Sequence, residues 1–352
     1  MANLPQELIN EILLWLPVKS LLRCRCVCKS FCAIIKSQSF INSHFKRSSE
    51  NRIHCKLIEL GMDNNGRILH ALDFNEDFQQ EVVLDKLLPT MTFDLLFSYC
   101  NGLVLLWIDK LSLWNPCTRE YRILPAFPVK HTHNLSFALG YDSTTDDFKA
   151  VVITQKPGCD VSHVWVFELR SNCWRRIQNF NGYTSFKLGG NGDCFVDGAL
   201  HFICWGNSFI IAAFDVAKET FSIVREFDDT VESPIRLHVF GGRLSMSFFG
   251  ICSEFCVDIY ARKFDGVTFT WTRLYSVTRQ QFSEEAIYCF LQGKIAHSKK
   301  GDKVFLSSEG KLHSYDFGEK CLQEIVTKNA ISLDIFSCIE SLVSVGSLDE
   351  EE

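Results

Sequence analysis

LSLWNPCTREYRILP, residues 111–125, sets two short apolar runs around a polar bend. Leu111, Leu113 and Trp114 lie before the bend and Tyr121, Ile123 and Leu124 after it, with Asn115 and Pro116 placing the turn. This is the pattern of a β-hairpin. It recurs as VWVFELRSNCWRRI (164–177), IIAAFDVAKETFSIV (210–224), VDIYARKFDGVTFTWTRL (257–274) and KLHSYDFGEKCLQEI (311–325). Marked by Trp114, Phe167, Phe214, Tyr260 and Tyr315, the hairpins are separated by 53, 47, 46 and 55 residues. That spacing is the period of propeller blades.

Between the markers lie further strand candidates at 102–107, 135–141, 148–153, 194–203 and 237–249, enough to complete several four-stranded sheets. A hairpin face rich in Trp, Tyr and Phe cannot hide itself from water, whereas radial stacking against neighbouring sheets buries it and leaves only short edges. Tyr121, Trp174 and Trp271 follow their turns at related positions and are expected to pack between blades. The expected fold is mainly β, with a C-terminal β-propeller-like domain of repeats about 45–55 residues long. The uneven period leaves a large β-sandwich as a rival.

The first fifty residues differ in kind. They carry seven basic and three acidic side chains, a net +4 within a chain of net charge -6, so the remaining residues hold a net -10. Leu8, Ile12 and Leu16 recur at four-residue spacing, widened by Ile9 and Leu13, with Glu7, Asn10 and Glu11 opposite, which predicts an amphipathic helix entered through Pro5 and ended by Pro17. Ser20 is placed to cap a second short helix, and Leu21, Leu22, Val27, Phe31, Ile34 and Ile35 continue the apolar positions through a third. So small a unit has little interior for this many aliphatic side chains. Some of them meet a partner, with Lys19, Arg23 and Lys29 as a basic rim, or they pack on the following domain.

The 47% hydrophobic and 22% charged composition excludes a disordered chain, and the near-neutral charge balance gives no global attraction to nucleic acid. Apolar runs such as 103–108 fall well short of the roughly 20 residues of a spanning helix, so no membrane role is expected. Sixteen cysteines without a signal peptide point to a reducing compartment, the cytoplasm with the nucleus as a second location, rather than to a disulfide scaffold. Cys24, Cys26, Cys28 and Cys32 lie in helix-forming sequence without the knuckle spacing of a zinc site and are expected to be small buried hydrophobes.

Enzyme chemistry is weakly signalled. Gly189, Gly190 and Gly192 lack the strand-to-helix setting and the lysine of a phosphate loop, and Gly241 and Gly242 mark a sheet turn. His131 and His133 have no predictable third metal ligand. Asp146, Asp147, Asp228 and Asp229 sit in turn-like sequence, and no catalytic residue is nominated. A propeller can still assemble polar groups from several blades at one end, so an enzyme with a loop-built site remains an alternative.

Residues 4–31, LPQELINEILLWLPVKSLLRCRCVCKSF, resemble the F-box of plant F-box proteins, with Phe31 where a tryptophan is usual and Gln38 where a proline often occurs. The blocks YCNGLVLLWIDKLSLWNPCTREYRILP, FALGYDSTTDDFKAVVI, FVDGALHFI, IIAAFDVAKETFSI and IESLVSV are similar to the plant F-box-associated interaction domain. The resemblance implies a three-helix F-box over 1–45, linker and first strands over 46–98, a substrate-recognition domain over 99–346 and an acidic tail over 347–352.

It further implies docking on the Skp-type adaptor of a cullin-RING ubiquitin ligase through Leu4, Pro5, Leu8, Ile12, Leu16, Pro17, Leu21, Leu22, Arg23, Val27 and Cys28. On that footing the protein is a non-catalytic receptor of an SCF-type ligase, without cofactor or metal, that presents a protein target held by the β domain. A binding protein that does not promote ubiquitylation is the other alternative. The YCNG and IESLVSV blocks also resemble the pollen-expressed S-locus F-box group, which implies a pistil ribonuclease as target, although general plant receptors share both blocks.

Overall fold

The computed structural model describes residues 5–51, 54–63, 66–73, 81–88, 96–107, 110–128, 134–155, 161–181, 185–188, 194–205, 209–227, 236–250, 256–278, 295–298, 302–308, 310–325 and 331–346. Four helices come first: α1 (Gln6–Leu14), α2 (Val18–Cys24), α3 (Lys29–Lys36) and α4 (Gln38–Asn51). The first three match the expected helices in number and order, but α2 begins directly after Pro17, so Ser20 lies within it rather than capping it. The fourth extends the helical unit past the boundary at residue 45. Ser37 permits this break and restart, because its Oγ donates to the Ile34 carbonyl at 2.7 Å and accepts the Phe40 N–H at 3.4 Å. Leu13, Val18, Leu21, Ile35, Phe40 and Ile41 form the small core of this unit.

Among the described residues the β portion forms six separate sheets, which excludes the sandwich. Blade 1 takes Cys55–Asp63, Gly66–Asp73 and Glu81–Leu88 together with Ile331–Ile339. Blade 2 is Leu96–Cys100, Leu103–Trp107, Leu111–Trp114 and Tyr121–Ile123. Blade 3 is Asn134–Asp142, Asp147–Gln155, Val161–Glu168 and Cys173–Arg176, with Phe180–Asn181 added. Blade 4 is Ser185–Leu188, Ala199–Trp205, Phe209–Asp215 and Thr220–Glu226, with Phe195–Val196 added. Blade 5 is Arg236–Phe240, Arg243–Gly250, Cys256–Phe264 and Phe269–Thr278, and blade 6 is Ile295–His297, Lys303–Ser308, Lys311–Asp316 and Cys321–Ile325.

All five hairpin markers fall on the third strand of a blade, from blade 2 to blade 6. Trp114, Phe167, Phe214 and Tyr315 are essentially solvent-free, and each faces an apolar partner on the fourth strand: Tyr121, Trp174, Phe221 and Leu322. The turn after the marker explains the repeat. Asn115, Asp215 and Asp316 each accept two backbone N–H groups two and three residues on, and Arg119, Glu219 and Lys320 close those turns at positive φ. Trp174 packs on Phe167 and Phe127 and donates Nε1 to the Pro125 carbonyl, and Trp271, like Tyr260, packs against the core between blades 4 and 5. Tyr121 is the exception, being substantially exposed.

The stretch 194–203 is two strands broken at Asp197–Gly198, and 237–249 is a hairpin turning on Gly241 and Gly242, both at positive φ as a two-residue turn requires. Residues 55–88, read as linker and first strands, complete a sixth blade by pairing with Ile331–Ile339.

The apolar cores lie between neighbouring blades. Polar contacts tie the same joints. Leu139 N–H donates to Ser98 Oγ between blades 2 and 3, and Lys149 of blade 3 reaches Glu219 of blade 4 at 2.9 Å. Tyr275 stacks on Phe317 between blades 5 and 6, Ser337 Oγ donates to the His297 carbonyl between blades 6 and 1, and Ile339 N–H donates to Tyr99 Oη between blades 1 and 2. The ring is closed non-covalently by its last strand.

Candidate functional site

Up-and-down strands put the described first-to-second and third-to-fourth turns, among them 101–102, 115–120 and 143–146, on one face of the ring. The helical unit docks on that face. Glu340, directly after the closing strand, accepts the Val18 N–H at the start of α2 through Oε2 at 2.7 Å and pairs through Oε1 with Lys56 at 2.8 Å. Pro17, the residue before α2, offers no side-chain cap, so the cap comes from the other domain. Leu342 enters the helical core, His54 Nε2 donates to the Trp15 carbonyl, and Asn42 of α4 donates to Asp146 in the first turn of blade 3.

The segment 339–345, IESLVSV, is thus a strap. Asn115 donates to the carbonyls of Ser341 and Val343, Arg122 donates to that of Val345, and Glu120 accepts from Ser344 Oγ and Val345 N–H. Gly102, at φ +86°, passes so close that a Cβ there would stand 2.1 Å from Ser341 Cβ. The YCNG, WNP and IESLVSV blocks therefore fasten one another and the helices, and that role says nothing about a target.

The outward side of the helical unit is apolar. Helix α1 and the two residues after it divide their hydrophobic side chains between two faces: Ile9, Leu13 and Leu16 turn inward, while Leu8, Ile12 and Trp15 are each about half exposed. Val27, in the turn after α2, is 69% exposed. Arg47 of α4 stacks 4.7 Å over the Trp15 ring and pairs with Glu11 at 2.9 Å, so the patch is held by the helix behind it.

The residues expected at the adaptor surface are distributed unevenly. Pro5, Leu8, Ile12, Arg23, Val27 and Cys28 are exposed, while Leu16, Pro17 and Leu22 are half-buried. Leu21 is wholly buried among Leu13, Val18 and Ile35, so it holds the core and cannot offer its side chain to a partner. Leu4 lies outside the described residues. Trp15 joins the face at i+7 from Leu8, a position that the four-residue stripe Leu8, Ile12 and Leu16 passes over.

Of the four clustered cysteines, Cys26 and Cys28 are exposed, against the expectation of burial, because the bend between α2 and α3 turns them to solvent. Cys28 serves the local fold, since its Sγ accepts the Phe31 N–H at 3.4 Å and caps α3. Among the described residues no group of three His, Cys, Asp or Glu side chains is set to hold a metal ion, and no helix is long and apolar enough to cross a membrane. Residues 131, 133, 189, 190, 192, 228 and 229 lie outside the described residues.

A concavity of about 350 Å³ is lined by Tyr99, Asp197, His238, His297 and Phe336 of several blades, with Phe45 of α4 also on its wall. Burial pushes the His238 imidazole down to about 3, and its Nε2 lies 3.0 Å from Ser247 Oγ. It is a neutral, hydrogen-bonded core group rather than a base poised near neutrality.

Comparison with known proteins agrees with this architecture. Residues 1–43 match the F-box domain and residues 63–328 match the F-box associated β-propeller domain. The chain belongs to the F-box proteins that carry an F-box associated β-propeller domain. It is 27% identical to F-box protein CPR1 of Arabidopsis thaliana over 94% of this chain and 86% of that protein. It is 33% identical to F-box protein At4g22390 of the same plant over 50% of this chain and 46% of that protein. Among solved structures it is similar to TolB from Acinetobacter baumannii, with a TM-score of 0.48 and 11% identity over 80% of this chain and 66% of that one, a likeness too distant to bear on function.

Proposed function

We propose that this protein is the substrate-recognition subunit of an SCF-type cullin-RING ubiquitin ligase, docking on the Skp-type adaptor through α1 and the α2–α3 bend and holding a protein target on its propeller. The observation that carries this reading is the row Leu8, Ile12 and Trp15 with Val27, an exposed apolar face on a small helical unit whose other side is committed to the propeller. Its chemistry is positional. The adaptor leads to the cullin and RING protein, the reactive thioester resides on the ubiquitin-conjugating enzyme, and the receptor raises the effective concentration of a target lysine beside it.

Rigid fastening suits this role, because a receptor whose helical unit swung freely on its propeller would present its target over many orientations. Neither the strap blocks nor the net charge of the propeller selects a ribonuclease or any other target. Reconstitution with adaptor, cullin, RING protein and conjugating enzyme tests the reading, and a folded chain that binds the adaptor but promotes no transfer belongs instead to the non-ubiquitylating class. A fluorescent fusion in plant cells tests cytoplasmic and nuclear residence.

A further inference from the structure

Outside the helical unit, exposed apolar side chains gather on the third-to-fourth-strand hairpin of blade 5. Phe264 is 55%, Val267 86% and Phe269 50% exposed, and the rings of Phe264 and Phe269 lie 5.0 Å apart. This tip continues into a ladder of rings and guanidinium groups along the joint with blade 4. Arg262 lies 3.7 Å over Phe269, and Arg225 lies 4.7 Å over Phe227 and 5.8 Å from Trp271. Trp271 pairs in register with Arg262.

Among the described residues neither the Arg225 nor the Arg262 guanidinium has a hydrogen bond or ion pair, and burial lowers the pKa of both. A half-buried guanidinium without an anion in contact is electrostatically incomplete, and its stacked ring holds it in place for one. The nearby acids leave that role open. Asp197 favours the Arg262 charge only from a distance, Asp265 accepts the N–H groups of Val267 and Thr268, and Asp258 lies 3.6 Å from Arg273.

We propose that the blade 4–blade 5 joint is a docking site for an acidic, aromatic-bearing segment of a protein. Its carboxylates pair with Arg225 and Arg262, and its apolar side chains cover Phe264, Val267 and Phe269. Charge decides among occupants. A second copy of this chain would bring Arg262, Lys263 and Arg273 against their own kind. A nucleic acid would carry a continuous row of phosphates toward a domain portion of net -10, whereas a few carboxylates need only the local cations. The site rests on the receptor reading, as the place where a target is held, yet it is separate from the adaptor face on α1.

The test uses the full chain bound to its adaptor and a fluorescent synthetic peptide alternating glutamate with phenylalanine, with a glutamine-for-glutamate peptide and a single-stranded RNA as comparison probes. The acidic peptide is expected to bind in a salt-sensitive manner and to lose about tenfold or more in affinity in R225E/R262E and, separately, in Val267→Asp. Lys218→Glu, on a different hairpin tip, should leave binding unchanged. Equal binding of the glutamine peptide, or undiminished binding to the variants, overturns the proposal. So does RNA binding lost in the same variants, or a concentration-dependent dimer abolished by Val267→Asp. Adaptor copurification of every variant reports the receptor reading separately and shows that the chain has folded.

Discussion

Glu340 Oε2 accepts the Val18 N–H at 2.7 Å, joining residues 322 positions apart, and the same carboxylate pairs with Lys56 at 2.8 Å. One side chain therefore caps a helix of the N-terminal unit and pairs with a cation on the first propeller strand. Glu340→Gln keeps an acceptor for the cap but weakens the pair, whereas Glu340→Leu removes both. The leucine variant is expected to lose about 2 kcal/mol or more, and the glutamine variant less. Chemical denaturation reads the loss, and limited proteolysis between the helical unit and the propeller reads the loosening of one on the other.

Gly102 and Gly198 provide a matched pair. Both have positive φ, but a Cβ at Gly102 meets Ser341 at 2.1 Å and one at Gly198 meets nothing within 4 Å. Gly198→Ala should cost about 1 kcal/mol from backbone strain alone. Gly102→Ala should cost several times that by displacing the strap, and melting temperatures of the two variants will show the difference.

Buried and exposed leucines of the helical unit separate folding from docking. Leu21→Ala empties a solvent-free position and is expected to cost about 2–5 kcal/mol. Leu8→Glu should leave stability nearly unchanged and abolish adaptor binding. Circular dichroism with a pull-down distinguishes the two effects.

Stability should fall as pH drops from 7 to 5. Burial lowers His201 to about 4 and His238 to about 3, so both stay neutral in the native state while the unfolded chain takes up protons below about 6.5. Their contribution is complete above that value and is lost as pH falls toward the native pKa. His201 alone accounts for about 2 kcal/mol between pH 7 and 5. His201→Asn should flatten the pH dependence relative to the parent, as measured by denaturant midpoints at the two pH values.

The repeating blades were legible because their signal is local. In three of the five hairpins an aromatic marker, an Asn or Asp directly after it and a turn closed at positive φ all lie within ten residues, as in Trp114, Asn115 and Arg119. Blade 1 was not legible as a blade, since its innermost strand arrives from residues 331–339 and no short-range pattern announces that pairing. The apolar character of α1 was plain, but four-residue spacing could not assign Leu8 and Ile12 to solvent and Leu13 to the core. That division depends on where α4 and Leu342 pack. Glu340 read as one letter of a terminal block, because its partners Val18 and Lys56 are distant in sequence. The cation-aromatic ladder was hidden for the same reason: Arg225 and Trp271 belong to different blades.

If the face bearing Leu8 and Ile12 docks on the adaptor while the strap holds the propeller in a fixed relation to it, removing that face should cost adaptor binding and nothing else. The affinity of the purified full chain for a Skp-type adaptor, compared with that of L8E/I12E by titration calorimetry, measures this without intermediaries. A tight one-to-one complex with the parent, and none with a double variant of unchanged circular dichroism, is the predicted result. A folded parent that does not bind, or a double variant that binds as tightly, would contradict it.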